Sequence, residues 1–137
     1  MVDEIAEREM KPHFAGLLGI EWLDDDPERA RARIEVREDL LQPFGIVHGG
    51  VMSTLVESLC SRSTALVVVP EGMAAMGQSI NVNFLRPISQ GSIEVTARAR
   101  HRGRTTWVWD AEVRDAEERL CALSQMTIAV RPLPQGD

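Results

Sequence analysis

The chain has 137 residues, 44% of them hydrophobic and 26% charged, and a net charge of −6. A chain this long forms one domain that buries roughly two-thirds of its unfolded surface, and the composition excludes disordered and fibrous classes. The acidic balance, with no basic arm or recognition-helix pattern, argues against nucleic acid as a partner, and an anionic ligand would need a local basic patch.

The first twelve residues, MVDEIAEREMKP, lack the basic start and apolar stretch of a signal peptide, so a cytoplasmic protein is expected. The pattern predicts an N-terminal helix over about 3–18, interrupted near Pro12, with Gly16 and Gly19 marking its end. Residues 18–23 then read as a first strand closed by the turn DDDP. Over 29–37 the chain alternates strictly, Ala30, Ala32, Ile34 and Val36 on one face and Arg29, Arg31, Arg33 and Glu35 on the other, a half-buried strand.

A central helix follows over about 50–69, some twenty residues and ~30 Å long, stopped by Pro70. Ser53, Thr54, Glu57, Ser58, Ser61, Arg62, Ser63 and Thr64 make it too polar for a lipid-facing span. It reads as a core helix that a curling sheet must cover, with no membrane partner expected.

Beyond the helix, Ser79 to Arg86 places Ile80, Val82 and Phe84 on one strand face, and Ile93, Val95, Ala97 and Ala99 line the next strand. Gly103 is a turn. Thr105, Trp107, Trp109, Ala111 and Val113 share a face of a further strand, Asp115 to Glu118 is a turn, Leu120 to Val130 is the last strand, and 132–137 is a tail. The expected fold is α+β: a single domain over 1–137 in which a curved antiparallel sheet of five to six strands wraps one long helix.

Cys60 and Cys121 have neither CxxC spacing nor a supporting His cluster, so both read as small core residues and no metal site is expected. Trp107 and Trp109 read as core or interface packing, Met52, Met73 and Met76 as gap fillers or pocket lining, and His13 and His101 as surface residues.

The central helix carries two anomalies. Gly49 and Gly50 open it where backbone N–H groups have no intrahelical acceptor, so a substrate carbonyl could approach closely, although the pair would equally permit a tight turn. Glu57 sits in apolar surroundings, either as an acid whose burial raises its pKa toward neutrality, or as an exposed residue or one paired with Arg62 or Arg86. Eight residues of helix separate Gly49 from Glu57 by ~12 Å, more than a Glu side chain spans. Joint action on one atom therefore requires two chains related by a two-fold axis.

The run QPFGIVHGGVMSTLVES, followed by NFLRP and RGR, resembles the hotdog-fold acyl-CoA thioesterases, in the PaaI-like branch that includes hydroxybenzoyl-CoA thioesterases with their acid on the central helix. The similarity covers roughly residues 14–132. It implies a hotdog fold in which subunits pair into a continuous sheet, giving a homodimer or homotetramer, and an acyl-CoA substrate with no further cofactor. By this resemblance Glu57 is nucleophile or general base and Gly49 the backbone donor to the thioester carbonyl. Gln42 assists at the thioester, His48 shapes the helix start, and Ser61 positions water or acid. Glu57 and Gly49 of one site come from different subunits.

The CoA phosphates call for cations. Arg98, Arg100, Arg102 and Arg104 recur with period two, which would align them on one strand face and its turn. Arg102, Arg104 and Arg86 are the expected CoA ligands, with Gly50 beside them. Aryl and medium-chain acyl groups fit equally. A hydratase is disfavoured because Pro43 precedes His48 and Gly-Gly follows it; a non-catalytic acyl-CoA-binding protein is the alternative from another class.

Overall fold

A computed structural model describes residues 2–135; Gly136 and Asp137 of the expected tail and Met1 lie outside it. The N-terminal segment forms two short helices, α1 (Val2–Glu9) and α2 (Phe14–Leu18), broken around Pro12 as expected. Gly19, in the left-handed region at φ 71°, caps α2. That cap delays the first strand, so β1 spans Glu21–Asp24 rather than starting at Leu18.

Strand β2 (Ala30–Glu35) buries Ala30, Ala32 and Ile34. A short 3-10 turn at Glu38–Leu40 leads to α3 (Gly49–Val68), which Val69–Glu71 extends by one further 3-10 turn containing Pro70. Four strands follow: β3 (Met73–Phe84), β4 (Ser92–Arg102), β5 (Thr106–Asp115) and β6 (Leu120–Pro132). β3 begins six residues earlier than the sequence pattern indicates, because MAAMGQ has no β-branched residue and is held extended by pairing with β6.

All six strands pair antiparallel in the order β1-β2-β4-β5-β6-β3. α3 packs against β2 through β6, so the sheet wraps it and hides Val51, Met52, Leu55, Val56, Leu59, Cys60 and Val68. Opposite them lie Ile93, Val95, Trp109, Val113, Met126 and Ile128. Buried Trp109 donates its indole N–H to Thr64 Oγ1 at 2.9 Å, and Thr64 in turn donates to the Cys60 carbonyl at 2.7 Å, tying helix to sheet. Cys60 and Cys121 are buried free thiols, and burial pushes both thiol pKa values up, which makes them inert packing groups.

β3 ends the sheet order and pairs with β6 alone, so its other edge is free. Its inner-face residues Ile80 and Phe84 remain 37% and 53% exposed, and Met76, expected as filler or lining, is 51% exposed.

Candidate active site

The segment before α3 is a tight turn. Gln42 N–H donates to the Ile46 carbonyl and Gly45 N–H to the Gln42 carbonyl, with Gly45 at φ 85° and Leu41 bridged to Val47. Pro43 pre-sets the turn, and Gln42 Oε1 accepts from Phe44 N–H, so one side chain closes the loop. Val47 N–H donates to Ile88 and His48 N–H to Leu40, which fix the point where the chain enters the helix.

His48 is the N-cap of α3, its Nδ1 accepting from Gly50 N–H at 2.9 Å. A neutral ring with Nδ1 as acceptor carries its proton on Nε2. Val51 N–H donates to the His48 carbonyl, while Gly49 N–H, at the positive end of the helix dipole, has no acceptor among the described residues. A β-carbon on Gly49 would lie 2.8 Å from Phe84 Cζ, and one on Gly50 3.0 Å from His48 Nδ1, so both glycines make room for a neighbouring ring.

Gln42, His48, Gly49 and Arg86 line one cavity of about 570 Å³, completed by Ile46, Val47, Met52, Phe84, Leu85 and Pro87. An unpaired N–H and a cation in a mostly apolar wall suit a polarised carbonyl attached to an anionic carrier.

Glu57 is not in this cavity. It projects from α3 toward β3, its Oε1 lying 3.1 Å from where a Gly77 β-carbon would be, and it is exposed in the single chain. No ion pair reaches it among the described residues: Arg62, a conceivable partner, is taken by Glu9 and Asp25 and stacks 4.8 Å over Trp22. Ser61 is half-buried four residues further on, which puts it on the Glu57 face; half-buried Ser58 lies about 100° round the helix.

The arginine run does not stay aligned. The β4–β5 register shifts between Ala99 and His101, so Arg102 opposes buried Trp107 and stacks on it at 4.6 Å, on the inner face. Arg98 and Arg100 instead reach Glu28 and Asp110, each at 3.6 Å. Arg102 and Arg104 line a second cavity of about 470 Å³ with Val67, Val68, Glu71 and Met73, at the far end of α3 from Gly49. One chain thus holds the expected residues in three places: the Gly49 cavity, the Glu57 face, and the Arg102 cavity. Sequence reading does not single out Gly77 as the residue beneath Glu57, because it lies in the part of β3 that the sequence pattern does not show as a strand.

Residues 44–122 match the thioesterase superfamily. The chain is 37% identical over 114 residues to a 1,4-dihydroxy-2-naphthoyl-CoA hydrolase of Listeria monocytogenes, covering 83% of this chain and 92% of that protein. Among solved structures, a mutant thioesterase of Pseudomonas aeruginosa superposes with a TM-score of 0.87 at 35% identity, covering 95% of this chain and 94% of that one. A thioesterase of Haemophilus influenzae gives 0.87 at 32% identity, covering 96% and 92%. The wrapped helix, its capped glycine start and these likenesses together establish that the chain belongs to the thioesterase superfamily, as a thioester hydrolase with the hotdog fold.

Proposed function

We propose that the chain hydrolyses an acyl-CoA thioester to the free acid and CoA at two equivalent sites of a homodimer, each combining Gly49 of one subunit with Glu57 of the other. The observation that carries this reading is the placement of Gly49 N–H and Glu57, both without a partner among the described residues, eight residues apart on one helix, beside a free strand edge. The twelve residues of β3 include no charge and no proline, the devices that keep a free edge from pairing.

Gly49 lies against Phe84 and Glu57 against Gly77, so α3 and β3 run antiparallel. Pairing two β3 edges about a two-fold axis through Asn81 sets Ile80 opposite Val82 of the partner subunit. Once the extra residue Gln78 is allowed for, Gly77 falls opposite Phe84 of the partner subunit. Directly opposed residues are ~5 Å apart on the same face, which brings Glu57 to the partner's Gly49.

In this site Gly49 N–H holds the oxyanion that forms as the thioester carbon becomes tetrahedral. Glu57 acts in one of two ways. As base it takes a proton from water, the hydroxide attacks, and the proton passes to the departing CoA thiolate. As nucleophile it expels the thiolate itself, and water then cleaves the mixed anhydride. Gln42 and Ser61 orient the thioester and water, and His48 keeps Gly49 free by engaging Gly50. Arg86 from one subunit, with Arg102 and Arg104 from the other, faces the CoA phosphates; Met73, in the wall of the Arg102 cavity, lies on the Glu57 side of β3. An aryl acyl group, as in the Listeria relative's substrate, is the first class to assay.

The test is thiol release from aryl- and fatty acyl-CoA esters by the wild-type chain and Glu57→Ala. A loss of about a hundredfold or more in the variant is expected for an essential acid. Equal, negligible release from both with the esters still bound would replace hydrolysis by a binding role.

A further inference from the structure

Gly77 interrupts β3 without a conformational reason of its own: its φ is not among the positive values found at Gly19, Gly45, Gly72 and Gly91. Glycine inside a strand weakens it, and its presence marks a close approach by another group. Here that group is Glu57. A β-carbon on Gly77 would lie 3.1 Å from Glu57 Oε1, 3.8 Å from Glu57 Cδ and 2.7 Å from Met126 Cε. Directly after it the β3–β6 register shifts, Gly77 opposing Ile128 and Ser79 opposing Thr127, so Gln78 is an inserted residue that bends the strand. Two irregularities of the sheet therefore coincide at the point where the helix acid meets it.

We propose that Gly77, with the adjoining Gln78 bulge, is a positioning residue for Glu57: the missing side chain leaves a niche in which the carboxylate rests against the β3 backbone, held along the free strand edge. This rests on the reading of Glu57 as the reacting acid. A side chain at Gly77 displaces that carboxylate by a few tenths of an ångström, and since a misplacement of ~1 Å at a reacting group costs about 10²-fold in rate, this smaller shift costs about tenfold. The fold is spared, because Met126 Cε and Glu57 Oε1, the atoms nearest to an added methyl, are both tips of flexible side chains.

The experiment compares kcat, KM and Tm of Gly77→Ala in three backgrounds: wild type, Glu57→Asp and Met126→Ala, using the CoA ester that the wild-type chain hydrolyses fastest. In the wild-type background kcat falls about tenfold while KM stays within about twofold and Tm does not drop, the pattern of a lost transition-state contact. In the Glu57→Asp background the carboxylate is already drawn back by one methylene, so adding Gly77→Ala costs less than about threefold, a non-additive cycle. In the Met126→Ala background the full penalty persists. Unchanged kcat in Gly77→Ala, an equal penalty in the Glu57→Asp background, or relief by Met126→Ala would each overturn the proposal, the last two assigning the glycine to packing or dimer assembly. An inactive Glu57→Ala beside a fully active Gly77→Ala removes this inference alone; an active Glu57→Ala removes the reading of the acid and this inference with it.

Discussion

Combining two inactive variants tests whether each site is shared between subunits. Glu57→Ala removes the acid. Gly49→Val obstructs the oxyanion donor, because the first added carbon would already lie 2.8, 3.1 and 3.2 Å from atoms of the Phe84 ring, and the branched side chain must spread over the exposed N–H. Each variant alone is expected to lose about 10²-fold or more in kcat. Coexpression with two different affinity tags, followed by purification through both, isolates the mixed dimer. In it one site combines an intact Gly49 from one chain with an intact Glu57 from the other, while the second site lacks both, so two-fold symmetry predicts about half of wild-type thiol release. If instead one chain supplied both groups, neither site of the mixed dimer would be complete, and turnover would stay at the level of the parents. That result would refute the shared site. The ~12 Å of helix between residues 49 and 57 makes rescue the expected result.

Trp109→Phe removes the buried indole donor to Thr64 and is expected to cost about 1 kcal/mol, roughly 3–5 °C in Tm by thermal unfolding. Arg62→Ala frees α1 from its ion pair with Glu9, so amide exchange in Val2–Glu9 should accelerate while α3 stays protected; unchanged exchange would mean that other contacts hold α1. Burial raises the Asp115 pKa, but hydrogen bonds from the Arg119 and Glu117 N–H groups and the Arg119 guanidinium outweigh it and hold the carboxyl below its ordinary value of 3.8. Its stabilisation is therefore present above the ordinary value and is lost as pH falls through the lowered one. Denaturant midpoints measured against pH should show a shallower acid decline in Asp115→Asn than in the wild type.

The elements with one buried face were readable from periodicity. Ala30 to Ile34, Ile93 to Ala99 and Trp107 to Val113 alternate and are buried as their alternation indicates, and the helix ends where Pro70 approaches. What failed was set by neighbours. The first half of β3 is extended because β6 templates it, so no local propensity could reveal it. The bulge at Arg100 is invisible in an arginine run whose period of two continues through it, yet it turns Arg102 to the inner face. Gln42, His48, Gly49 and Arg86 line one cavity, and Arg86 lies apart from Arg102 and Arg104, with which the sequence reading grouped it. Glu57 is the instructive case. Its sequence context left burial and exposure both open, and the fold decides between them: Leu55, Val56 and Leu59 are buried in the core, while Glu57 lies against Gly77 on the end strand and is exposed.

A face left exposed by one chain and needed by the proposed chemistry ties activity to assembly. Ile80, Phe84 and Leu85 are 37%, 53% and 55% exposed on or beside the free strand, next to Gly49 and Glu57. Covering them and satisfying the β3 edge is what a second copy would do, and doing so would also withdraw water from the site and set Glu57 beside the partner's Gly49. Chain association and completion of the site are then one event. Specific activity should accordingly fall on dilution through the dimer dissociation constant, in step with the mass measured by light scattering at the same concentrations. Ile80→Lys, which sets a charge on each side of the two-fold axis, should shift both curves together to higher concentration by tenfold or more, since like charges at close approach across an interface cost a few kcal/mol. Monomers that retain full specific activity would break the link between assembly and chemistry, whatever the dimer's affinity.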